Sequence, residues 1–175
     1  MTQKQLQILA AALRLFATEG YASTTTKKIA QEAKVSEGLI FRHFTNKEGL
    51  LKALLEEGVE RGKKYFADIV LEADPLKIIQ KMISLPFQIL PEEYEFWRLQ
   101  HSLKWQTDSY DSSITEPLKI ALVRAFTKLK YKSPELEADY LMIQLDGVVS
   151  TLLLHPDTID PIKMEKFILK RYQLK

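Results

Sequence analysis

The stretch Thr24 to Lys47, TTTKKIAQEAKVSEGLIFRHFTNK, leaves this chain few choices of fold. Its apolar residues recur at helical spacing in two short runs with a turn between them. Thr25 or Thr26 can cap the first helix, because a threonine hydroxyl accepts from an orphan backbone N–H. Ile29, Ala30 and Ala33 then fall at i, i+1 and i+4 and make one small apolar face. Beyond Lys34-Val35, Ser36 can cap a second helix, with Leu39, Ile40 and Phe44 supplying inward-facing residues. Ala30 and Ala33 are small enough for the two helices to cross closely. Two helices joined by a turn of about 3–4 residues form a helix-turn-helix, whose second helix enters the major groove of DNA. Asn46 is placed to cap a long helix beginning at Lys47-Glu48.

Helical patterns fill the rest of the chain. Leu6, Leu9, Ala10, Leu13, Phe16 and Ala17 predict a first helix with one stripe, stopped at Gly20. From Lys47 a pattern runs through Leu50, Leu51, Leu54 and Leu55, past Phe66, to about Leu71. Gly58 and Gly62 weaken its middle by up to about 1 kcal/mol each relative to Ala. Asp74-Pro75, Ser133-Pro134 and Asp160-Pro161 each put Pro at the first helical position behind a capping residue. Leu90-Pro91 ends one helix and begins another, and the polar run from Thr107 to Ser113 predicts a loop before a helix from about Ile114 to Lys130. No β alternation, internal repeat or low-complexity tract interrupts them. The expectation is an all-α protein of about nine helices. Its N-terminal three-helix helix-turn-helix domain would span 1–46 and its helical body 47–175.

Composition agrees. Of 175 residues 46% are apolar, ample for a core, and the absence of Cys removes disulfide and thiolate chemistry. The opening MTQKQLQILAAALRLF is broken by Gln3, Lys4, Gln5, Gln7 and Arg14 and does not read as a signal peptide. No apolar run approaches the roughly 18 residues that span a membrane, so a cytoplasmic chain is expected. The net charge of +2 alone predicts no nucleic-acid partner. Its distribution says more: residues 1–50 hold seven Lys/Arg against four Glu, which leaves the remainder at −1. Only His43, His101 and His155 are present, with no HExxH, phosphate loop or nucleophile elbow. No enzyme, cofactor or metal site is expected; His155, Asp157 and Asp160 sit in a loop and make a poor ligand set.

The ordered string Thr25, Ile29-Ala30, Ala33, Val35-Ser36, Gly38, Ile40-Phe41-Arg42-His43-Phe44 and Asn46-Lys47-Glu48 resembles the N-terminal domain of tetracycline-repressor (TetR) family regulators. Leu15-Phe16-Ala17, Gly20-Tyr21 and Leu50-Leu51 extend the resemblance over roughly the first third of the chain. It implies a DNA-binding transcriptional regulator, a repressor, in which a homodimer binds a palindromic double-stranded operator and a small effector releases it. Two positions depart from the family pattern. Lys34 replaces a turn Gly, at about 1 kcal/mol if the backbone is left-handed. Phe41 replaces a Tyr and cannot donate to a phosphate. Both keep open an alternative: a helical ligand-binding or protein-interaction module that has lost operator binding.

The residues expected at DNA are Thr25, Thr26, Ser36, Glu37, Gly38, Leu39, Phe41, Arg42, His43 and Lys47. Gly near the start of a short helix is unfavourable on propensity, so Gly38 is read as letting the backbone approach DNA. Ser36, Glu37, Leu39 and His43 fall on the outward side; for Glu37 a merely solvated position is an equal reading. Leu39 could meet a thymine methyl, and His43 a phosphate or base edge. Lys47, beside free N–H groups at a helix start, is read as a phosphate contact.

In the body, Trp97, His101 and Trp105 fall at i, i+4 and i+8 on one helix face. Core packing is the plainer reading of such a stripe. As a pocket wall, joined by Met82, Phe87, Phe126 and Tyr140, it would hold a small, partly apolar effector. Leu141, Leu145, Val148 and Leu152 form a stripe on the helix expected at 134–154, with Gly147 allowing close approach. Together with the helix at 161–173 it predicts a twofold four-helix dimer interface.

Overall fold

A computed structural model of the protein describes residues 1–106 and 112–174, apart from the side chains of 103–106, 112 and 113. Among the described residues there are nine α-helices and no strand: α1 Gln3–Glu19, α2 Thr26–Glu32, α3 Glu37–Phe44, α4 Lys47–Val70, α5 Pro75–Ser84, α6 Tyr94–Gln106, α7 Glu116–Lys128, α8 Pro134–Leu154 and α9 Pro161–Arg171. Pro at the first helical position starts α5, α8 and α9, as the Asp-Pro and Ser-Pro pairs predict. Asp74 and Asp160 also cap with their carboxylates; Ser133 does not use its hydroxyl. The expected loop at 107–113 falls mostly outside the described residues. A short 3-10 turn at Ser112–Thr115 precedes α7.

The chain forms two compact units, Met1–Arg61 with Glu92–Tyr110, and Gly62–Pro91 with Asp111–Lys175. The first is larger than the head expected over 1–46. Leu50, Leu51 and Leu54 from the start of α4 are buried in its core with Phe16, Ile29, Ile40 and Phe44, and Leu99 of α6 joins them. Gly58, which propensity marks only as a weakness, is a packing residue: a Cβ there would lie 2.3 Å from Gln100 Nε2 and 2.7 Å from the Phe96 ring. The stripe of α1 is rotated from its predicted phase. Ile8, Leu9, Ala11, Ala12, Leu15 and Phe16 are buried, whereas Leu6 and Ala10 are exposed.

The second unit closes over Ile69, Ile78, Ile79, Met82, Ile83, Leu122, Phe126, Leu141, Leu145 and Ile168. Carbonyls at the end of α4 and just beyond it are met by side chains. Arg124 donates to the Val70 and Glu72 oxygens, both at 2.9 Å, and Lys128 to the Ala73 oxygen at 3.3 Å. Two faces of α8 are apolar. Leu141, Leu145 and Leu152 point into the unit, while Leu136, Tyr140, Ile143 and Leu154 are exposed.

Candidate nucleic-acid interface

The interface is built from α2 and α3, and the chain fixes each end of both. Gly20 stops α1 at φ 88°, a conformation that suits Gly. The buried Thr24 hydroxyl then donates to the Gly20 oxygen at 2.9 Å, locking the loop. Thr25 is the N-cap of α2 and accepts from the Lys28 N–H at 3.2 Å. After α2 the turn is closed by Lys34 N–H to the Gln31 oxygen and Val35 N–H to the Ala30 oxygen, at 3.1 and 3.0 Å. Lys34 takes the left-handed backbone, φ 53°, so its substitution for Gly leaves the turn in place with some strain.

Ser36 occupies the N-cap of α3 without using its hydroxyl, which stays exposed. Ile40 and Phe44 are buried and anchor the helix, and Gly38, Phe41 and Arg42 face solvent. Nothing lies within 4 Å of a Cβ built on Gly38, so no internal packing requires Gly there. Leu39 departs from its expected exposure: it is half-buried and packs on the core of the first unit. The exposed apolar residue of α3 is instead Phe41, 48% accessible. Glu37 is not simply solvated, because its carboxylate accepts from the Thr26 hydroxyl at 2.6 Å. His43 is half-buried, its ring edge-on to Phe44.

α3 passes into α4 through a three-residue turn. The Asn46 N–H donates to the Phe44 oxygen at 2.7 Å across Thr45, which is held at φ 69°. Asn46 then caps α4, accepting from the Gly49 N–H at 2.8 Å. A Cβ on Gly49 would fall 1.8 Å from the Phe44 oxygen, a requirement for Gly that sequence reasoning missed.

Lys47, expected at a phosphate, is engaged within the protein. Its ammonium turns onto the α1–α2 loop and donates to the oxygens of Tyr21, Thr24 and Ala22 at 3.1, 3.2 and 3.5 Å. It also sits 4.4 Å from the centre of the Tyr21 ring. Burial, and then the neighbouring Glu48 carboxylate, push the Tyr21 hydroxyl pKa above its ordinary value. Lys28 pairs with Glu19 and Arg14 with Glu32. Lys27, Lys34 and Arg42 stand exposed beside the motif, the charge a polyanion would meet.

The expected pocket residues divide. Trp97 and His101 belong to the first unit, where Trp97 lies edge-on to Phe96 and His101 is buried. The Trp105 side chain lies outside the described residues. Met82 and Phe126 fill the core of the second unit, Phe87 packs partly against it, and Tyr140 is exposed. Met82, Phe126 and Tyr140 thus do not form one wall: two are core and one faces outward. A cleft of about 430 Å³ on this unit is lined by Glu72, Lys77, Gln80, Lys81, Ser84 and Gln88. The expected dimer stripe is corrected as well. Leu141, Leu145 and Leu152 are buried inside the unit, Val148 packs partly on the same core, and only Gly147 faces out.

Comparison with known proteins adds the family. The sequence pattern of bacterial regulatory proteins of the tetR family matches residues 8–54, a span covering α2, α3 and their anchors. The HTH-type transcriptional regulator YvkB of Bacillus subtilis is 55% identical over 51 residues, 29% of this chain and 27% of that protein, so the chain spans about a quarter of it. The HTH-type transcriptional repressor AcnR of Corynebacterium glutamicum is 29% identical over 164 residues, 86% of this chain and 82% of that protein. The fold extends over the body: the regulator FadR from Bacillus subtilis, in complex with stearoyl-CoA, superposes with a TM-score of 0.74 at 22% identity, covering 94% and 95% of the two chains. With its helix-turn-helix intact from Thr25 to Asn46, the chain carries over residues 8–54 the pattern of the tetR family of bacterial regulatory proteins.

Proposed function

We propose that the protein is a cytoplasmic repressor, not an enzyme, that binds a palindromic operator as a homodimer and leaves it when a small molecule binds the body. One observation carries the DNA reading. α3 presents Gly38, Phe41 and Arg42 outward, with open space over Gly38, on a helix whose opposite face is buried at Ile40 and Phe44. Ser36 and Thr25, exposed at the starts of α3 and α2, are placed to meet phosphates on either side. Similarity to AcnR over 82% of its length supports repression.

Dimerisation draws on the outer face of α8. Leu136, Tyr140, Ile143, Gly147 and Leu154 recur at i, i+4, i+7, i+11 and i+18, a stripe for which one chain offers no cover. Ile162 and Phe167 of α9 are exposed too. A second copy would bury this stripe around a twofold axis.

The effector reading rests on α6. Gln100 Nε2 is buried with no hydrogen-bond acceptor among the described residues, on the helix that carries Trp97 and His101. Such a donor costs about 1–3 kcal/mol until an acceptor arrives, which favours a partly apolar effector bearing a carbonyl or carboxylate. That FadR, of like fold, holds stearoyl-CoA supports a ligand within this type of body. Fluorescence anisotropy with labelled mixed duplex at rising salt tests the function. A steep fall of affinity supports it, and no salt-dependent binding contradicts it.

A further inference from the structure

We propose that Phe41 determines sequence specificity by covering the C5 methyl of a thymine in each operator half-site. This rests on the DNA-binding reading and names a base within it. The sequence offers Leu39 for such a contact, but Leu39 is half-buried and packs on the core of the first unit. Phe41, 48% accessible, is the large apolar side chain that α3 leaves in solvent.

The neighbours of Phe41 set what its ring can meet. Gly38 precedes it at i and i+3 on α3, so the two positions share one side of the helix. A Cβ on Gly38 would meet nothing within 4 Å. The ring therefore stands beside bare backbone, over which DNA can come close. It has no donor for a phosphate oxygen, and the negative face of an aromatic ring opposes an anion. Attraction to phosphate falls instead to Arg42, exposed one residue on. In the major groove the apolar group is the thymine methyl, whereas the other base edges present hydrogen-bond donors and acceptors. A ring pressed onto those edges strips them of water and returns no hydrogen bond, which is costly. Pressed onto the methyl, it removes apolar surface from water on both sides. Phe41 thus favours thymine and penalises each other base at the same position.

The test starts from the inverted repeat that the full wild-type chain selects from random duplex DNA. Each thymine of that repeat is replaced in turn, in both half-sites, by deoxyuridine, which lacks only the C5 methyl. Affinities of the wild type and of Phe41→Ala are measured by fluorescence anisotropy over a salt series. At one thymine position the replacement should weaken wild-type binding about three- to fivefold per half-site, the burial of one methyl. Phe41→Ala should bind the thymine and deoxyuridine duplexes equally at that position, the signature of a direct pair in a double-mutant cycle. It should also keep the wild-type salt slope, since no charge is lost. The proposal is overturned if the half-site holds no thymine, if no replacement weakens the wild type, or if the sensitive position stays sensitive in Phe41→Ala. The first two outcomes need no variant, so they stand whether or not Phe41→Ala folds. In all three the enriched repeat still supports DNA reading by α3. A wild-type chain that enriches no sequence removes that reading and this assignment together.

Discussion

The hydroxyl of Thr26 donates to the carboxylate of Glu37 across 2.6 Å and ties the first turn of α2 to the first turn of α3. Glu37 thereby puts a negative charge where DNA would approach, so its worth is orientation rather than attraction. Glu37→Ala should cost about 0.5–1.5 kcal/mol in urea unfolding, the range for a hydrogen bond of this kind. Mixed-duplex affinity should rise as the charge goes, while the operator-to-mixed ratio falls. An unchanged ratio would show that the contact orients nothing.

Gly38 separates folding from recognition. A side chain there meets nothing within 4 Å, and removing Gly from a helix favours the fold by up to about 1 kcal/mol. Gly38→Leu should thus melt at or above the wild-type temperature yet lose operator binding. Wild-type operator affinity in the folded variant would show that α3 does not approach DNA at this point.

The helix boundaries were legible because their chemistry is local. Thr25, Asn46, Gly20 and the Pro residues of α5, α8 and α9 act on neighbouring backbone groups, and each ends or begins a helix where its type requires. Facing was harder to read. α8 is apolar on two sides, so periodicity finds Leu141, Leu145 and Leu152 without revealing that they point inward while Ile143 points outward. The loop contacts of Lys47 were hidden for a related reason: its partners lie 23 to 26 residues away, and no local pattern announces them. Nor does sequence spacing show that α6 joins the first unit or that Gly58 makes room for Gln100.

The two faces of α8 give a paired prediction. Ile143, 71% exposed, and Leu145, 3% exposed, stand two residues apart. Ile143→Glu should shift sedimentation from dimer to monomer with the helical signal retained. Leu145→Ala should cost about 2–5 kcal/mol of unfolding free energy through the cavity it leaves. A dimer that survives Ile143→Glu would move the interface off this stripe.

Glu72 supplies a pH dependence. Hydrogen bonding from Lys81, then from the Asp74 and Ala73 N–H groups, holds its carboxyl pKa at about 2, below the ordinary 4.5. A pKa depressed in the folded state stabilises above the unfolded value, and that contribution is lost as pH falls through the folded one. The urea-midpoint gap between wild type and Lys81→Met should therefore be full at pH 6 and shrink from about 4.5 toward 2. Salt should narrow it too, since the pair is near the surface. A gap unaffected by acid would remove this pair from the stability of α4 and α5.

Selection of bound sequences from random duplex DNA with the wild-type chain tests the central claim most directly. Two copies of α3 related by a twofold axis should enrich an inverted repeat, with half-sites spaced by whole turns of the helix. The enrichment should vanish for Gly38→Leu. A pool that stays random for the folded wild-type chain, at salt low enough to bind, would contradict a sequence-reading role for α3.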